Sequence, residues 1–260
     1  MGAQAKLVLL GVALVALTAA PTLADEKSPK TGGVKVGGEI DQNTTVIGNV
    51  NSNSTGIASS AKTRIGSVTD SEVGGNLEQN TFVGGAVGTS ATGIASNAET
   101  NIGRIDGADV DGNLEQNTTV LGVVNTNATG IAANAETNIG TIEDADVDGN
   151  LEQNTTVLGR VTNSATGIAA TGVTDIGAID GVKSGGNVTQ NTFVGGDISN
   201  TATGIASKAV TEIGTMKNVE AGGDINQNTT VLGIVSTNAV GIASGACTSI
   251  GVVGESECDE

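Results

Sequence analysis

The chain has no His, Trp or Tyr, and only two each of Pro, Cys, Met and Phe. Each shortage excludes something. Without His, and with two Cys, a zinc site of the usual His/Cys kind cannot be assembled. Ser-His-Asp and Cys-His nucleophile systems lack their base. Two Phe cannot seed an aromatic-rich core. Basic residues are also scarce: 11 Lys and Arg stand against 28 Asp and Glu, a net charge of −17 at pH 7. That balance excludes the basic footprint and aromatic platforms of nucleic-acid binding. No proline follows Pro29, which suits a backbone paired almost throughout, because proline cannot donate to a ladder.

What is present is aliphatic and periodic. Hydrophobic residues make up 37% of the chain, and 40 glycines recur at regular intervals, so disorder is the weaker reading. Residues 1–24 have the three parts of a secretory signal: Lys6, an apolar run from Leu7 to Ala20, and Thr22-Leu23-Ala24 before a cleavage point. The apolar run is shorter than the ~20 residues of a spanning helix, so no membrane span is expected once the signal is removed. Residues 25–35 read as a flexible leader. In an exported chain Cys247 and Cys258 pair most simply as one disulfide, stapling the acidic tail 254–260 to the last structural unit.

From Val36 the chain divides without insertion into six units of 37: 36–72, 73–109, 110–146, 147–183, 184–220 and 221–257. One column reads Gln42, Gln79, Gln116, Gln153, Gln190 and Gln227, and each is followed by Asn: Asn43, Asn80, Asn117, Asn154, Asn191 and Asn228. A second column is Val46 to Val231. A third is Ile57 to Ile242, always between Gly and Ala. A fourth is Thr63 to Thr248. Val, Ile and Thr alternate over short stretches between glycines, a strand pattern, and glycine at this density is costly in helices. The fold class expected is all-β: a β-solenoid stacked in register, with Val, Ile and Ala inside and Gln and Asn ladders along the stack. Each unit resembles itself at a shift of 18, as Gly112 on Gly130, Thr119 on Thr137, and Leu121 on Ile139. Two coils per repeat are therefore expected, in a rod of roughly 55–60 Å. Phe82 and Phe193 occur only where the aliphatic residue two places later becomes Gly84 or Gly195, a volume compensation.

In these stretches the chain resembles the repeats of curlin and of Fap-type secreted bacterial functional amyloids. The matching residues are Gln116-Asn117, Gly122 and Asn127-Ala128, then Gln153-Asn154, Gly159 and Ser164-Ala165, with equivalents in all six units. The resemblance implies an exported subunit that stacks end to end into an extracellular fibre of biofilm matrix or cell surface. It implies no catalytic residues and no cofactor. The partner implied is the chain itself, with a nucleator or outer-membrane exporter.

Open solenoid ends agree with such growth, since they present unpaired strand edges. An alternative is a monomeric binding solenoid, meeting ice or another regular surface through the Thr columns Thr44–Thr229 and Thr63–Thr248, or an adhesin stalk. The acidic clusters Asp106, Asp109 and Asp111, and Asp144, Asp146 and Asp148, offer oxygen ligands to Ca²⁺; solvated corners are the simpler reading. Near-identical repeats provide no unique cleft, so no enzyme is expected.

Overall fold

The computed structural model describes residues 33–255 and Cys258, together with the backbone of Ala13–Ala19. The rest of the expected signal peptide, most of the leader and most of the acidic tail fall outside the described residues. Among those described there is no α-helix; the chain is a parallel β-solenoid.

In the second coil the five strands are Leu77–Val83, Val87–Thr92, Ala95–Ile102, Ile105–Asp106 and Asp109–Val110. Every strand pairs with its equivalent 37 residues away: Gln116 lies between Gln79 and Gln153, and Thr137 between Thr100 and Thr174. One repeat is therefore one coil, not two, and six coils at about 4.8 Å each give a stack of roughly 29 Å. The similarity at a shift of 18 is not structural equivalence, because it opposes residues of different orientation. Leu121 is exposed at a corner, whereas Ile139 is wholly buried.

The interior of each coil is divided into compartments. Leu77, Ile105 and Val110 belong to one apolar cluster, and Val83, Val87 and Ile102 to a second. Between them the first strand points Gln79 and Thr81 inward, and the end of the third strand closes over these two. There the chain reverses at glycine with φ near +60°, as at Gly103 and Gly140. A Cβ on Gly103 would sit 2.1 Å from Thr118 Oγ1, so only glycine fits. Beyond the second cluster, the second and third strands draw together over Ala91 and Ala98 into a thin blade. Its tip is the Gly93-Ile94 corner.

A strand over Ala13–Ala19 runs antiparallel to Ile40–Val46 of the first coil. At the other end, the chain continues past Ile250 to Val253, which bridges Met216.

Candidate assembly interface

The Gln column forms an internal ladder. Each Nε2 donates to the Oε1 of the preceding Gln, at 3.0 Å from Gln116 to Gln79 and from Gln153 to Gln116, and 2.9 Å from Gln190 to Gln153. The same Nε2 donates to the carbonyl of the reversing glycine, as Gln116 does to Gly103 and Gln190 to Gly177. Gln79, Gln116, Gln153 and Gln190 have no exposed surface; Gln42 and Gln227, in the end coils, are half-buried. The neighbouring Asn column forms a second, outward ladder, with Asn117 donating to Asn80 Oδ1 at 3.0 Å and Asn154 to Asn117 at 2.9 Å. Asn80, Asn117 and Asn154 also bond the Glu two residues before them.

Both Thr columns turn inward. Thr118, Thr155, Thr100 and Thr137 are buried, and hydroxyls link Thr63, Thr89, Thr100, Thr126 and Thr137 in a zigzag at 2.7–2.8 Å. The outward Thr face that surface binding requires is thus corrected: Thr100 and Thr137 bond Thr89 and Thr126 inside the coil, and Thr81 and Thr155 donate to the Gly66 and Gly140 carbonyls. The zigzag is interrupted by Asn163 and Asn200, whose amides bond backbone carbonyls of Ala135, Gly172 and Val210 instead. Gly172 replaces the usual Ala there, because a Cβ would lie 2.5 Å from Asn200 Oδ1. The Ile57–Ile242 column is a second correction. Val, Ile and Ala were expected to fill the interior, and this Ile column is an exception to that rule: Ile94, Ile131 and Ile168 are each 52% exposed.

The end of the sixth coil is an open cross-section of the core. Ile225 is 42% exposed, while its equivalents Leu77, Leu114, Leu151 and Val188 are at 0–1%. Ile250 is likewise 43% exposed, where its equivalents Ile102, Ile139, Ile176 and Ile213 are wholly buried. The chain after Ile250 does not close this face: it continues the ladder beside Met216, with Gly254 N–H donating to the Met216 carbonyl at 2.8 Å. Cys258 is bonded to Cys247 on the outward side of the third strand.

That outward side faces the fourth strand across a groove, where the repeats differ from coil to coil. Lys62 Nζ lies 2.5 Å and an Arg64 nitrogen 3.9 Å from the Glu99 carboxylate. Arg104 meets Glu143 at 2.5 Å and Asp106 at 3.2 Å, and Lys217 meets Glu212 at 2.6 Å. Burial pushes Glu99 up, but the Lys62 hydrogen bond and charge, with Asn101 and Arg64, outweigh it and hold Glu99 below its ordinary value. Burial also raises Glu143, with Asp106 and Glu136 adding to the effect against Arg104. Asp175 is stacked between Asn138 and Glu212. Burial first, then the charges of Glu212, Glu143 and Glu136, push it well above the ordinary range against Lys217. Its Oδ1 has no hydrogen-bond partner.

Of the acidic corners, Asp144, Asp146 and Asp148 are exposed, and among the described residues no three acidic or Cys side chains converge as metal ligands. Phe82 and Phe193 lie over the glycines that follow them: a Cβ on Gly84 would be 3.1 Å from the Phe82 ring, and one on Gly195 3.2 Å from Phe193.

Comparison with family models, with curated proteins and with solved structures finds no match. Nothing in these comparisons links the chain to the curlin or Fap-type proteins.

Proposed function

We propose that the chain is a secreted, non-enzymatic structural subunit that stacks end to end with further copies of itself into an extracellular fibre, in the manner of the secreted amyloids whose repeats it resembles. The observation that carries this reading is the open sixth coil. The 37-residue period continues from it, without a gap, onto the first coil of a following copy. Ile225 would meet Ile40, Gln227 would meet Gln42, Val231 would meet Val46, and Ile250 would meet Ile65. Each contact repeats one already made between successive coils. Such a head-to-tail contact does not close on itself, so it generates a filament. Cleavage after Ala24 takes away the strand over Ala13–Ala19 that pairs with Ile40–Val46 and leaves that edge free to receive a copy. An exporter and a nucleator are the further partners this reading assigns, in the outer membrane or at the cell surface.

The test is negative-stain electron microscopy and sedimentation of purified residues 25–260, before and after salt is raised. Long unbranched filaments with an axial repeat near 4.8 Å are expected. Short rods that remain single at high concentration and high salt would overturn the proposal in favour of a monomeric binding solenoid or adhesin stalk.

A further inference from the structure

The blade has a composition unlike the rest of the molecule. The segments 50–61, 87–98, 124–135, 161–172, 198–209 and 235–246 together contain one charged residue, Lys208, in a chain with 28 acidic side chains. Along the tip run Ile57, Ile94, Ile131, Ile168, Ile205 and Ile242, one per coil, exposed by 52–54% in the four inner coils and by 74–77% at the ends. Stacking on the coils above and below covers the rest. The neighbouring glycines are explained by coil contact, since a Cβ on Gly93 would lie 1.7 Å from the Gly56 carbonyl oxygen. The isoleucines are not explained this way. Their backbone carbonyls accept the ladder bonds at 2.9 Å, as Ile94 does from Ile131, and a polar residue would serve that ladder equally.

We infer that this isoleucine ridge is an interface with a second copy of the chain, packed ridge against ridge along the length of the rod. Three features point to a copy rather than to another partner. First, molecules bearing −17 each repel one another except where acidic groups are absent, and the blade is the acid-free face. Second, a row of side chains at about 4.8 Å intervals interdigitates over its full length only with a row of the same interval. Third, the six isoleucines form one unbroken row, each with half or more of its surface open and flanked by Thr and Ala, so that a second ridge covers all six at once. The ridge lies on the flank of the solenoid and the open sixth coil on its end. Side-by-side pairing therefore does not depend on end-to-end stacking, and it doubles the rod's mass per unit length where stacking changes only its length.

The experiment measures mass per unit length by small-angle scattering over a concentration series. It compares the unaltered protein with a variant carrying Ile94→Lys, Ile131→Lys, Ile168→Lys and Ile205→Lys, and with a second carrying Thr at the same four positions. The unaltered protein is expected at twice the single-rod value, and both variants at half of it, with unchanged β circular dichroism. If the Lys variant loses its β signal, the Thr variant, which keeps the β-branch, decides. A single-rod value for the unaltered protein at every concentration overturns the inference, as does an unchanged doubled value in a folded variant.

Discussion

Gln116 shows how much one side chain holds together. Its amide bonds Gln79 and the Gly103 and Thr141 carbonyls, while its Oε1 accepts from Gln153. Leucine fills similar volume but leaves those buried acceptors and the Gln153 amide short of partners, each at a cost of about 1–3 kcal/mol. Gln116→Leu is therefore expected to destabilise by about 2–4 kcal/mol and to lower the urea midpoint. Gln227→Leu, half-buried in the last coil, costs less than half as much; equal midpoints for Gln116→Leu and the unaltered chain would refute the ladder's role. The ladder was legible because six identical amides at an invariant spacing have little other use. The side of each column was less so. Along a strand, alternation separates inside from outside, but Ile94 lies at a corner between Thr92 and Ala95, where alternation does not apply. The sequence therefore does not say on which side these six invariant isoleucines lie, and they are exposed.

Between elements, the coupling of Phe82 to Gly84 could be read from sequence because both residues lie on one strand end, two places apart. The charged groove could not. Its residues come from the third and fourth strands and change from coil to coil, so no column announces them, and only folding brings Glu212 to Lys217. Its least satisfied member is Asp175, whose pKa is raised in the fold. Between the ordinary carboxylate value and that raised value, the folded state holds a proton that the unfolded state has released, so stability falls as pH rises through the window. Asp175→Asn removes this penalty. The variant is expected to match the unaltered chain below the ordinary carboxylate range and to be the more stable of the two increasingly as pH rises above it. Urea midpoints between about pH 3 and pH 8 check this, and a gap between the two that is independent of pH would show that the Asp175 charge is not responsible.

At the scale of the whole molecule, repeat number and period were plain in the sequence, and the number of coils per repeat was not. Half-repeat similarity reflects two strands that each end in an aliphatic residue and glycine, Val120-Leu121-Gly122 and Asn138-Ile139-Gly140, folded into one coil. The junction proposed between copies has its own charge logic. Inside the chain Lys35 pairs with Glu72 at 2.8 Å and Lys183 approaches Glu220 at 3.9 Å; continuing the column sets Glu220 against Lys35 of the following copy. Glu220→Lys is expected to slow filament growth several-fold at low ionic strength, and adding Lys35→Glu to restore it, with both effects fading as salt approaches ~1 M. Light scattering against time measures this, and a double variant slower than either single change would count against the pairing.

Coils this similar pose a problem of identity, since a strand could settle one whole coil out of place and still find Gln on Gln and Val on Val. The groove resolves it for the first three coils. Lys62 with Glu99 joins the first coil to the second and Arg104 with Glu143 the second to the third, each pair occurring once, so these coils carry addresses that only the proper neighbour answers. A chain so built can gain or lose an entire repeat beyond those three coils and change only its length, in steps of one strand spacing.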